Sequence, residues 1–388
     1  MYINQNELAL ALSHFHSALK LKPDFTEVAY IIVLIYEQQK QSDKALEFLL
    51  NFEKENKASA FIHKHVLRLL REFQKYELGI QYLKERKAKN PSDIDTLLQL
   101  SEFYFYLKQF KSALRQLQVV QHINPNLEEV NYKLGLLYRE MKDYPNAILY
   151  FEKIKFDSIY YADSILQRTF YYYQVDKKIQ KAIEVLETAL ENRKDLVSLY
   201  PSLASIYIEN KESKKAVALL ENAAEKFPKD VSILYDLGAV YEKDGQIKQS
   251  LLTMRKVLEL NPDHPEALNF ISYSLAARKE NLDEAHQYAQ KALKLKPQSG
   301  HIADTLGWVY FQQGKFKEAK QFLEKASQLE PKEPIIFFHL GEAYRKLGDS
   351  EKALQLYEQA LQLNPTQDER PQIQEKIQTL RKRIPAKK

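Results

Sequence analysis

Nine histidines, at positions 14, 16, 63, 65, 122, 264, 286, 301 and 339, are the first residues to weigh for chemistry. Two H-x-H pairs suggest a metal, His14–His16 and His63–His65. Both lie in stretches with helical periodicity, where residues i and i+2 do not share a face, so neither pair converges on an ion. The chain has no cysteine, which removes disulfides, thiolate metal sites and cysteine nucleophiles. No H-E-x-x-H, G-x-S-x-G or phosphate-loop sequence occurs. Carboxylates are plentiful, with 52 Asp and Glu in 388 residues, but no pair stands out from an ordinary charged helical surface. A net charge of +5 is small for this length and does not by itself point to nucleic acid, where a basic face or stripe is expected. These residues support no catalysis, no metal and no cofactor. The chemistry to expect is recognition.

The recognition residues are aromatic: 25 Tyr, 19 Phe and the single Trp308. Trp308 follows Gly307 in "ADTLGWVYFQQGKFKEAKQFLEKASQLEP", a stretch with helical periodicity. Glycine costs about 1 kcal/mol relative to alanine inside a helix, so its place there needs a reason. The elements around it supply one. Prolines at 23, 91, 125, 228, 262, 297, 331 and 365 are spaced by 34 residues or by near-multiples of 34. With the late proline numbered 32, position 8 is Gly135, Gly238, Gly307 and Gly341. Position 11 is Tyr in eight units, among them Tyr36, Tyr207, Tyr241 and Tyr344. Position 20 is Ala in nine, from Ala11 to Ala353.

This pattern resembles the tetratricopeptide repeat (TPR), over residues 1 to about 367. The units are 26–59, 60–93, 94–127, 128–161, 163–196, 197–230, 231–264, 265–299, 300–333 and 334–367. The fold class expected is an all-α TPR superhelical solenoid of about ten and a half helix-turn-helix repeats. Each unit is a helix A and a helix B that cannot bury their apolar faces without neighbours. Small residues at positions 8, 20 and 27 let backbones approach, and Pro at 32 ends helix B. Gly307 therefore serves close packing. Gly245, Gly314 and Gly348 fall in A–B turns, and no glycine is left for a phosphate loop.

Residues 1–25 supply only a second helix, so the array is expected to continue upstream. Residues 371–383 read as a capping helix with Ile373, Ile377 and Leu380 at helical spacing, followed by the basic tail "RKRIPAKK". The repeat slips between Ile154 and Asp163, where "IKFDSIYYA" carries one extra residue. Pro201 then falls inside a helix A, either in a first turn or at a kink. The division expected is 1–161, 162–367 and 368–388.

In TPR proteins the A helices form a concave wall. The resemblance implies that positions 2, 5, 9 and 12, one helical stripe, face it. That stripe carries Tyr30, Phe61, Phe105, Tyr132, Tyr171, Tyr235, Tyr273, Trp308, Phe311 and Phe338. Aromatic stripes combine contact area with polar tips and suit recognition; alternatively, adjacent A helices crowd and cover the rings. Lys64, Arg68 and Arg71 make a basic stripe for an acidic segment or terminal carboxylate, or for Glu37 and Glu102 of adjacent A helices within the chain. The Lys/Asn carboxylate clamp of chaperone-binding TPR domains is not matched.

Residues 268–344, with "LNFISYSLAARKENLDEAHQYAQKAL" and "SGHIADTLGWVYFQQGKFKEA", resemble bacterial envelope TPR lipoproteins, although Ser272 stands where those usually have Gly. That resemblance implies a periplasmic adaptor for a protease or cell-wall enzyme, tethered to the outer membrane through an upstream lipid. It also implies a patch of Asn269, Tyr273, Asp304, Trp308, His339 and Glu342 on the concave wall. That patch either binds a partner or links adjacent A helices. The partner expected is a protein or peptide segment rather than nucleic acid. The alternatives are a cytoplasmic assembly or chaperone-like protein, and a TPR module of a larger enzyme. No apolar run reaches the length of a membrane span.

Overall fold

A computed structural model describes residues 5–56 and 60–382. Among these, every regular element is helical. The chain divides into two compact units, residues 1–177 and 178–388, one helix later than the slip in the repeat suggested.

The first unit holds α1 (Gln5–Leu21) and four hairpins: α2 (Thr26–Gln38) with α3 (Ser42–Glu55), α4 (Ala60–Glu72) with α5 (Tyr76–Lys89), α6 (Ile94–Tyr106) with α7 (Phe110–Ile123), and α8 (Glu128–Glu140) with the short α9 (Tyr144–Phe151). It ends with α10 (Tyr161–Phe170), which runs into a π-helical turn over Tyr171–Val175. The second unit opens with α11 (Ile179–Asn192). Its hairpins are α12 (Leu199–Glu209) with α13 (Ser213–Lys226), α14 (Val231–Lys243) with α15 (Ile247–Leu260), α16 (Pro265–Arg278) with α17 (Leu282–Leu295), α18 (Gly300–Gln312) with α19 (Phe316–Leu329), and α20 (Pro334–Lys346) with α21 (Ser350–Gln362). Last comes α22 (Glu369–Arg381). It buries Ile373, Ile377 and Leu380 in one apolar cluster with Leu356, Tyr357 and Ala360 of α21. Arg381 pairs with Glu358 at 2.7 Å; the rest of the basic tail, 383–388, lies outside the described residues.

Local chemistry explains the helix ends. Most A helices close with a left-handed residue whose successor's N–H reaches back five residues. Gln41 N donates to Tyr36 O at 2.8 Å and Gln246 N to Tyr241 O at 2.7 Å, the bond of a Schellman cap. Gly245, Gly314 and Gly348 take that place with φ of +80°, +78° and +92°, but Lys40, Gln74, Lys108, Lys142, Lys211 and Lys279 take it elsewhere. Start signals are side-chain caps: Asp93 accepts from Thr96 N at 3.2 Å and Asp230 from Ile233 N at 3.0 Å.

Gly307 packs as expected. A Cβ there would stand 2.7 Å from Leu323 Cγ and 3.2 Å from Ala319 O. Pro201 sits in the first turn of α12, so that helix starts late and is not broken by it.

The slip resolves differently from its sequence appearance. The extra residue is absorbed in the π turn, where Asp176 N donates to Tyr171 O at 2.9 Å. Buried Ser164, Ile165 and Thr169 take the interior places that Val130, Asn131 and Gly135 hold in α8, each 34 residues earlier. The repeat therefore runs one residue earlier through α10 than its proline spacing implies, and Thr169, not Phe170, holds the small position 8.

Candidate partner-binding surface

In the second unit the A helices α16, α18 and α20 bring most of the expected patch together. Asp304 of α18 and His339 of α20 are 5% and 3% exposed. His339 Nδ1 lies 2.9 and 3.0 Å from the two Asp304 carboxylate oxygens. The His339 ring stacks on Trp308 at 4.0 Å and 17°, and Trp308 stacks on Phe311 at 4.7 Å and 4°. Tyr273 of α16 reaches the same His339 ring at 6.4 Å, past the intervening α18. The result is one aromatic column fixed at its centre by a buried carboxylate. Trp308, Phe311 and Tyr273 stay half-buried. Burial pushes the Tyr273 hydroxyl up to about 12, with Asp304, Glu242 and Glu369 adding to the shift.

Glu342 of the patch and Phe338 of the aromatic stripe are held inside the protein. Glu342 is 5% exposed. It accepts from Tyr357, from Arg345 Nη2 at 2.7 Å and from Lys376 of α22 at 3.1 Å. Burial works to raise this carboxyl, but the bonds from Arg345 and Tyr357 and the charge of Lys376 hold it below the ordinary range. Phe338 is buried at 9% exposure, 5.6 Å from the Tyr357 ring. Glu342 and Phe338 are thus interior links. Asn269 is half-buried and its Oδ1 has no hydrogen-bond partner.

The basic stripe of α4 is mostly spent within the chain. Arg68 grips Glu37 of α2 with both ends of its guanidinium, at 2.9 and 3.0 Å, and Glu72 at 2.8 Å. Arg71 donates to Glu102 of α6 at 2.8 Å and to Gln99. Partly exposed pairs of this kind are worth roughly 0.2–1 kcal/mol each, and they tie three successive A helices. Lys64 is left exposed.

The remaining aromatics are also partly engaged. Tyr235 stacks on His264 at 5.2 Å. Tyr132 donates to Asp163 at 2.6 Å and stacks on Tyr160 at 4.7 Å. Phe105 packs 5.9 Å from Phe110 and borders a cavity of about 270 Å³ between α6, α7 and α8. Tyr171 opens the π turn, 5.4 Å from Tyr144. Its expected place at position 9 is taken instead by Phe170, 48% exposed. With Leu166, Arg139 and Tyr144, Phe170 lines a cavity of about 470 Å³.

Sequence reasoning missed Phe170 because proline spacing cannot locate an extra residue within a repeat. It also missed two half-buried carboxylates in the second unit, Asp236 and Glu242, beside a cavity of about 320 Å³ between α12 and α14. Burial, with the charge of Asp230, raises Asp236 to about 6 against a bond from Ser232. Burial likewise raises Glu242. Among the described residues there is no group of three or more metal-ligating side chains, and no helix is long and apolar enough to cross a membrane.

Family models of the tetratricopeptide repeat match residues 128–154, 207–272, 276–337 and 334–367. The chain is a tetratricopeptide-repeat protein. A TPR repeat-containing protein of Pseudomonas aeruginosa is 40% identical over 62 residues, which is 16% of this chain and 10% of that protein. This TPR chain thus matches about a tenth of the length of that curated relative. Among solved structures, yeast Tom70 is 16% identical, covering 98% of this chain and 87% of its own, with a TM-score of 0.47. A tetratricopeptide repeat protein from Parabacteroides merdae is 15% identical, covering 57% and 98%, with a TM-score of 0.43.

Proposed function

We propose that this TPR protein is a non-catalytic scaffold that holds a segment of a partner protein along the A-helix face of its second unit. One observation carries the reading: the Phe311–Trp308–His339 column, with Tyr273 beside it, on successive A helices. Half-buried stacked rings offer a large contact area with few rotamers left to freeze. The Asp304–His339 pair fixes the column before any partner arrives. The finer reading is an envelope adaptor for a protease or cell-wall enzyme, in the periplasm and tethered through an upstream lipid. It rests on the resemblance of residues 268–344 to envelope TPR lipoproteins.

The test is a crosslinked pull-down from separate envelope and cytosolic fractions, read by mass spectrometry. The bait is the chain beside a Tyr273→Ala/Trp308→Ala variant, leaving Asp304 and His339 in place so that the helices stay linked. A partner lost by the variant, at unchanged helical circular dichroism, supports the A-helix site. Capture of that partner from the envelope fraction supports the adaptor role, and capture from the cytosol alone replaces it with the cytoplasmic reading. If both baits capture the same proteins equally, the column is packing and the proposed site is wrong.

A further inference from the structure

The α4–α5 hairpin departs from the repeat in its own core. Position 4 is apolar in most repeats and position 27 is Ala in six, but here they are His63 and Arg86. With Glu53 from α3 and Tyr82 from α5 they form a directed chain of hydrogen bonds. Arg86 Nη1 donates to Glu53 Oε1 at 2.9 Å, Tyr82 donates to Glu53 Oε2, and His63 Nδ1 lies 2.6 Å from the Tyr82 hydroxyl oxygen. His63 is 8% and Glu53 9% exposed. Burial, with the charge of Arg86, lowers His63 to about 4, so the ring is neutral. Because Tyr82 gives its proton to Glu53, His63 must offer Nδ1–H to Tyr82. Its Nε2 is then a bare lone pair, and Asp95 at 3.8 Å makes no bond to it. Both His63 Nε2 and Arg86 Nε are buried without a hydrogen-bond partner.

A buried polar network with unmet members is less stable than the apolar packing used by the other repeats. Neither unmet atom is open to solvent, so they mark a network kept at a cost in stability rather than the contact points of a ligand. Glu53, Tyr82 and Arg86 of this network, but not His63, line a cavity of about 370 Å³ between α3 and α5. That lies within the range of roughly 300–1,000 Å³ for small-molecule sites. Glu53 and Arg86 cancel in charge. At the rim, exposed Lys54 and Lys89 outweigh Glu85, and the amides of Asn51 and Gln81 complete the wall.

We propose that this cavity binds a small anion-bearing molecule, its phosphate or carboxylate group seated among Lys54, Lys89 and the Arg86 guanidinium. Glu53 and Tyr82 position the guanidinium, whose planar fork matches an oxyanion. The amides take the polar remainder of the ligand. The site lies between B helices, off the A-helix face, so it stands or falls independently of the partner-binding reading.

The experiment titrates the full chain with inorganic phosphate and, separately, with succinate, by calorimetry and thermal melting. The expected result is saturable binding of at least one, a raised melting temperature, and roughly ten-fold or greater weakening in a Lys54→Gln/Lys89→Gln variant. That variant should melt like the parent without ligand, because both side chains are exposed. Binding of phosphate alone assigns a phosphate-bearing ligand, and binding of succinate alone a carboxylate. No saturable binding of either anion, or equal binding by the variant, overturns the proposal.

Discussion

Asp304 and His339 form a buried pair across the step from α18 to α20, with the His339 Nδ1 at 2.9 and 3.0 Å from the two carboxylate oxygens. Nothing else described joins those two A helices through buried charge. The ring that Asp304 holds is the one on which Trp308 stacks, so the link between repeats and the aromatic surface share a residue.

Removing one partner should therefore cost far more than removing both. His339→Ala leaves a buried carboxylate without its donor and should lose about 3–5 kcal/mol. An Asp304→Leu/His339→Phe variant should lose less, because apolar groups of similar volume replace a buried pair at little cost. Urea unfolding followed by Trp308 fluorescence reads both. Equal losses would show that the pair is not the source of the stability.

Alkaline pH should loosen the second unit in a defined window. Burial and a bond to Glu324 push Tyr344 up to about 12, and burial with Asp304 does the same for Tyr273. Unfolded tyrosine ionises near 10. The folded values are raised, so this contribution is complete below pH ~10 and is lost as pH climbs toward ~12. Melting temperature against pH should fall across that interval, and less steeply in Tyr344→Phe. A flat profile to pH ~12 contradicts the assignment.

Asp236 should show the same sign at lower pH, with stability lost as pH climbs from ~4 toward ~6. Its folded value is raised to about 6 by burial, so ionisation above that pH works against the fold. The unfolded group titrates near 3.9. Asp236→Asn should stabilise at pH 7 by about 1 kcal/mol once solvent screening of a half-buried group is allowed for. It should change little at pH 4. Denaturant midpoints at the two pH values decide it.

The left-handed lysines give a stability lever. Lys108 and Lys142 hold φ of 56° and 61°, where a side chain other than glycine is strained. Lys108→Gly and Lys142→Gly should each add about 0.5–1 kcal/mol, and the two should add together because they sit in separate turns. Gly314→Ala, at φ +78°, should lose a comparable amount. Thermal melts that rank these variants otherwise would put the strain elsewhere.

The repeat, the helix-turn-helix units and most helix ends were legible in the amino-acid order alone. These follow from local causes: proline that cannot continue a helix, small residues where helices touch, and apolar spacing. The capping helix α22 and the packing of Gly307 were legible for the same reason. Which side chains of the A helices stay free was settled by contacts between repeats. Arg68 finds Glu37, and His339 finds Asp304, 31 and 35 residues away. Such partners lie one repeat off, and a sequence pattern names candidates for them without choosing among them. The extra residue near 160 was visible as a count, but its place was not. Packing of Ser164, Ile165 and Thr169 into the interior pushed it into the π turn, which set Phe170 rather than Tyr171 on the exposed face. Composition fixed the kind of surface, and contacts between repeats fixed which of its atoms remain available.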